Sequence, residues 1–186
     1  MLITKVKVGK VTNLSEARYC AGMGVDLLSF PVSAVDPKTY QEITGWIAGP
    51  LFGIEVEKES IHILDDFEAD FIVVDVDSID LIPPGKKLIA RLNVTDWDRK
   101  KNELIAIKDR ILFLELAPGD IDGHLNTVIQ EIQEEFDLLL AVSNSTDIDQ
   151  VIKMPIAGIS LEGGAEVRPG LKEYPLADIL EKLEEF

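Results

Sequence analysis

Eight short apolar runs, each followed by a turn and a more polar segment, constrain the fold of this chain most tightly. They fall at residues 3–11, 25–30, 51–56, 71–76, 88–92, 111–116, 138–142 and 156–161. Val, Ile and Leu dominate them, and polar residues do not strictly alternate, as expected of strands buried on both faces. The intervening segments carry helix signals. Asn13 is placed to cap a helix, with Glu16 three residues later, and Gly22 and Gly24 end it. Pro37 opens a helix reaching Trp46, and further helices are expected over 59–67, 96–109, 121–136, 146–152 and 175–186. Residues 78–85 are too few and too proline-rich for a full helix, so one unit is degenerate.

Alternating strands and helices give an α/β fold with a parallel sheet, and eight units point to a closed (β/α)8 TIM barrel. An open doubly wound sheet is the alternative, but no G-x-G-x-x-G follows the first strand. No linker or low-complexity tract interrupts residues 1–186, so a single domain is expected. Barrels of this type usually need about 250 residues, so this one is compact.

Charge narrows the function classes. The chain carries 34 acidic and 18 basic residues, a formal net charge of −16. Such a surface repels phosphate backbones and anionic lipid, which argues against nucleic-acid or membrane partners. A small-molecule ligand stays open, as do a protein partner and a homo-oligomer. Cys20 is the single cysteine, and His62 and His124 stand in no metal-ligand spacing. No metal site or cofactor is therefore expected. The first residues lack the apolar region of a signal peptide, and no apolar run is long enough to span a bilayer, so a cytoplasmic location is expected. Cys20, Trp46 and Trp97 lie on or near helices and are expected to pack against the barrel.

Several strands carry charges that strand parity turns into the barrel. Lys7 shares its face with Gly9 on the first strand. Glu55, Asp75, Arg91 and Glu115 lie near the C-terminal ends of the third, fourth, fifth and sixth strands. Active sites of TIM barrels lie at that end. Unpaired buried charge is costly, so these groups should either pair with one another or face an open, wet mouth.

Three segments resemble phosphoribosylanthranilate isomerase. Residues 7–18, KVGKVTNLSEAR, are similar to that family's K-I-C-G-I-T-N-x-E-D-A. Residues 22–30, GMGVDLLSF, resemble its A-G-A-D-x-x-G-F, and residues 163–173, GGAEVRPGLKE, its S-G-V-E-x-x-P-G-x-K-D. The likeness spans nearly the whole chain and implies a small TIM barrel. It also implies an Amadori rearrangement of tryptophan biosynthesis, an aldose-to-ketose isomerisation without a cofactor. In that family a cysteine after the first strand is the general base and an aspartate ending the sixth strand is the general acid.

The chain departs from that pattern at the chemistry. Gly9 stands at the base position and has no side chain to accept a proton. Glu115 stands at the acid position, one methylene longer. Residues 32–37 lack the arginine that contacts the substrate carboxylate in the family. At the expected phosphate cradle, Ser143, Asn144 and Ser145 replace two adjacent glycines. Gly163 and Gly164 are kept, but Glu162 precedes them, and Arg168 offsets that charge only if it folds back. Three functions follow as alternatives. The first is a divergent barrel without isomerase activity, serving as a binding or regulatory protein or an enzyme of altered chemistry. The second is an active isomerase with Glu115 as acid and Asp75 or Glu55 as relocated base. The third is a non-enzymatic subunit that binds a partner through its outer helices.

Overall fold

The computed structural model describes residues 1–117, 123–142, 148–163, 166–168, 171–172 and 175–184. Eight parallel strands close into a barrel in sequence order. They are β1 (Lys5–Gly9), β2 (Leu27–Pro31), β3 (Leu51–Glu55), β4 (Phe71–Asp75), β5 (Leu88–Leu92), β6 (Ile111–Leu116), β7 (Leu138–Ala141) and β8 (Gly158–Glu162). A closed parallel barrel leaves no sheet edge, and the helices cover its outer face. The expected TIM-barrel architecture is thus present, and the open sheet is ruled out.

The helices around it are α1 (Leu14–Gly22), α2 (Pro37–Thr44), α3 (Val94–Ala106), α4 (Gly123–Gln133), α5 (Ile148–Val151) and α6 (Pro175–Lys182). Asn13 caps α1 by accepting the Glu16 N–H at 2.9 Å, and Asp36 caps α2 through the Thr39 N–H at 3.0 Å. Two crossovers use 3₁₀ helices instead, Lys58–Asp66 after β3 and Val76–Leu81 after β4. The second is the degenerate unit. A short antiparallel pair, β9 (Glu166–Arg168) with β10 (Leu171–Lys172), follows β8 and was not expected.

The barrel has two cores. Outside, the strands pack on the helices through residues such as Val6, Val8, Leu28, Ile54 and Trp97. Inside, Leu27, Phe71, Val73, Ile89, Phe113 and Leu139 form a lower apolar plug. The ring of Phe71 lies where a Cβ on Gly53 would stand, so only glycine admits that ring. Above the plug, toward the strand C-termini, the inward positions turn polar. Cys20 is buried on α1. Trp46, expected to pack against the barrel, instead sits beyond α2 and is 74% exposed.

Trp97 anchors α3 against α4. Its ring meets Phe136 edge-on at 6.3 Å, and its indole N–H donates to Glu131 Oε2 at 3.0 Å. That donation, helped by Lys101, holds the Glu131 carboxyl below its ordinary value of 4.5. A carboxyl lowered in the folded state stabilises above its unfolded value and loses that contribution as pH falls through the folded one. Denaturation midpoints of the wild-type and Glu131→Gln proteins should therefore differ near neutral pH and converge as pH falls below 4.5. An equal difference at every pH would rule out the carboxylate–indole contact as its source.

Candidate active site

Strand pairing sets the polar layer. Lys7 is level with Ser160 of β8, Pro31 with Glu55, Asp75 with Arg91, and Arg91 with Glu115. The structure gathers all five charged residues picked from the sequence at the C-terminal end of the barrel. Lys7 is 2% exposed and lies 2.8 Å from Glu115 Oε2, with the ammonium also donating to Ser160 Oγ at 3.4 Å. Glu55 is 9% exposed. Its Oε1 accepts the Ser29 hydroxyl and the Lys10 backbone N–H, both at 2.7 Å. Arg91 spans two acids, with Nη1 3.7 Å from Glu55 Oε2 and Nε 3.2 Å from Asp75 Oδ1. Glu115 Oε2 lies within ion-pair distance of Lys7 and Arg91 Nε within that of Asp75, but neither atom makes a hydrogen bond. Charge attraction needs no alignment, so both contacts stand as ion pairs. Asp75 differs from the others in sitting at the rim, its side chain 65% exposed.

Gly9 is closely surrounded. A Cβ built there would lie 2.7 Å from Glu55 Oε1, 3.1 Å from Lys7 Nζ and 3.4 Å from Ser29 Oγ. The carboxylate of β3 therefore fills the space a side chain at position 9 would need. Lys10, the next residue, has φ +54°, a left-handed conformation that costs a non-glycine residue about 1–2 kcal/mol. The conformation aims its N–H at Glu55, while its ammonium reaches Glu162 at 2.6 Å.

The eighth-strand loop is occupied too. The Gly163 N–H donates to the Gly9 carbonyl at 2.7 Å. Glu16 of α1, 1% exposed, accepts the Thr12 N–H at 3.3 Å and would lie 2.7 Å from a Cβ on Gly163. Ser143, Asn144, Ser145 and Gly164 fall outside the described residues. Arg168 lies on β9, and its side chain is likewise outside them.

An open cleft of about 1000 Å³ lies beside this network, over the ends of β1, β2 and β3. Glu55 and Arg91 line its depth, and Lys10, Thr12 and Glu162 one wall. The 3₁₀ helix Lys58–Asp66 and the residues just before it supply the other, including Glu57, Glu59 and His62. A smaller hollow of about 530 Å³ lies on the β4–β5 side, with Arg91 in the wall of both. Among the described residues, no group of three or more His, Cys, Asp or Glu is arranged to hold a metal. None of the described helices is long and apolar enough to cross a membrane.

Ser29, Ser160, Lys10 and Glu16 were missed in the sequence. Ser29 and Ser160 share parity with the inward charges, which was a usable signal. Lys10 stands where the resembled pattern K-I-C-G has its glycine, and a left-handed backbone such as Lys10 adopts is one that glycine takes without strain.

A closed eight-stranded parallel barrel with a polar layer and a cleft at the strand C-termini defines a TIM barrel, the class in which that end usually carries the site. No protein-family model matches the chain, and no curated protein matches it in sequence. Solved structures do. A phosphoribosylanthranilate isomerase, determined in complex with reduced 1-(o-carboxyphenylamino)-1-deoxyribulose 5-phosphate, superposes with a TM-score of 0.71 at 16% identity, covering 97% of this chain and 98% of that one. The enzyme from Pyrococcus furiosus gives 0.67 at 17% identity, covering 97% and 98%. A thiamine phosphate pyrophosphorylase from Pyrococcus furiosus gives 0.61 at 13% identity, covering 97% and 96%. The chain has the fold of the phosphoribosylanthranilate isomerases, a fold that also carries other chemistry.

Proposed function

We propose that this barrel is a divergent relative of phosphoribosylanthranilate isomerase that does not catalyse the Amadori rearrangement and binds a small molecule in its cleft. One observation carries the reading: Glu55 Oε1 stands 2.7 Å from where a Cβ on Gly9 would be, so the base is not merely absent but replaced. The acid position supports it. Glu115 is already engaged by the Lys7 ammonium at 2.8 Å, so its carboxyl is not left free to face a substrate. Loss of one acid–base group alone costs on the order of 10²–10⁴ in rate.

A second reading draws on the same geometry. Glu55 occupies the place of the base, so an active isomerase would use it there, with Glu115 as acid. Against this, Glu55 Oε1 already accepts two hydrogen bonds, from the Lys10 N–H and the Ser29 hydroxyl, and a substrate proton would have to compete with them. Purified protein is expected to show no conversion of phosphoribosylanthranilate, and its gene no rescue of a tryptophan auxotroph despite soluble expression. Turnover near the enzyme median of about 10 s⁻¹ that disappears in Glu55→Gln would establish the second reading instead.

A further inference from the structure

We infer that the cleft takes an organic cation without a phosphate group, an amine with an apolar body. The inference rests on the reading above, that the cleft is a binding site.

Among the described residues, three backbone donors at the cleft are already used. The Gly163 N–H donates to the Gly9 carbonyl at 2.7 Å, and the Lys10 N–H to Glu55 at 2.7 Å. The Thr12 N–H donates to Glu16 at 3.3 Å. The two fixed cations of the cleft are also matched, Lys10 by Glu162 at 2.6 Å and Arg91 by Glu55 and Asp75. A phosphate entering here would have to displace a carboxylate and remain beside it. Like-charge juxtaposition of that kind is how a site rejects a ligand.

Among the described charged side chains of the cleft, those left without an ion pair are negative. Once those pairs are formed, Glu57 and Glu59 on the far wall are left without an ion pair among the described residues. Pro31, Val32, Val56 and Ile63 give the same cleft an apolar surface. A volume of about 1000 Å³ admits a ligand the size of a substituted aromatic amine. The apolar wall receives its body, and the two rim carboxylates receive its charge.

Benzylamine is the probe, with benzoate as the isosteric anion and ribose 5-phosphate as the phosphorylated control, each titrated into the full chain and followed by amide chemical shifts. Benzylamine should produce saturable shifts at Val32, Val56 and Ile63. The double variant Glu57→Gln/Glu59→Gln, both on the surface, should bind it about threefold or more weakly. Benzoate and ribose 5-phosphate should produce none. Absence of benzylamine shifts, binding indifferent to the double variant, or saturable binding of ribose 5-phosphate at those residues overturns the inference. The isomerase assay keeps the two readings apart. Protein that neither turns over nor takes benzylamine sinks this inference alone. Protein that takes benzylamine and also isomerises supports it and removes the reading beneath it.

Discussion

Lys7→Met should be the most damaging single substitution in the barrel interior, lowering stability by about 3–5 kcal/mol. The methionine keeps most of the lysine's volume, so the loss comes from charge and not from a cavity. Glu115 is 8% exposed, and its ammonium partner at 2.8 Å would be gone. A buried carboxylate without its counter-charge costs far more than the intact pair contributes. For a domain of this size the loss corresponds to a fall in melting temperature of roughly 6–20 °C. The companion variant Lys7→Met/Glu115→Leu removes both charges and should recover most of the loss, since an apolar replacement of a buried pair is often neutral or stabilising. Urea denaturation of the two variants decides it. A single variant within about 1 kcal/mol of wild type would mean that the pair behaves as an exposed one.

The same pair shows where sequence reasoning stops. Which residues face inward was legible, because strand parity is local: Lys7 and Gly9 lie on one face of β1, Glu55 on the matching face of β3. Which charge meets which was not. Strand pairing places Lys7 beside Leu27 and Ser160, yet its ion partner Glu115 comes from β6, which β1 does not pair with. That contact depends on how the closed barrel staggers its strands, a property of all eight at once. Strand ends were misplaced for reasons equally physical. The run at 3–11 is a strand only over Lys5–Gly9. Ile3 donates its N–H to Leu183 near the C-terminus, and Lys10 turns left-handed. The run at 156–161 begins pairing at Gly158, because the Ile156 N–H is taken by Met154 in a tight turn. The helix expected over 59–67 is a 3₁₀ helix, whose apolar spacing over two turns does not differ enough from an α-helix to be told apart. Resemblance supplied the fold and the positions of change. Only the geometry supplied the reason for Gly9, a carboxylate from another strand standing in its side-chain space.

Gly9→Cys, which installs the side chain of the family pattern that residues 7–18 resemble, should destabilise the protein by about 1–3 kcal/mol, the usual range for overpacking a filled interior. The new Cβ would stand 2.7 Å from Glu55 Oε1 and 3.1 Å from Lys7 Nζ. Glu55 is tied to Ser29, to the Lys10 N–H and to Arg91, so it cannot swing aside without breaking those contacts. Glu55→Ala alone should also destabilise, because Lys10 keeps its left-handed backbone while its N–H loses the acceptor it was turned to meet. In the double variant Gly9→Cys/Glu55→Ala the clash disappears, so the combined loss should be smaller than the sum of the two single losses. A double-mutant cycle by chemical denaturation reads that coupling, expected at about 1 kcal/mol or more for residues in direct contact. Strict additivity would show that Glu55 does not occupy the vacated space in solution. The single variant should remain without isomerase turnover, since the restored thiol would compete for its space with Glu55, and the acid it needs is still engaged by Lys7. Isomerase activity appearing in Gly9→Cys alone would overturn that expectation and show that a thiol at position 9 completes a working site.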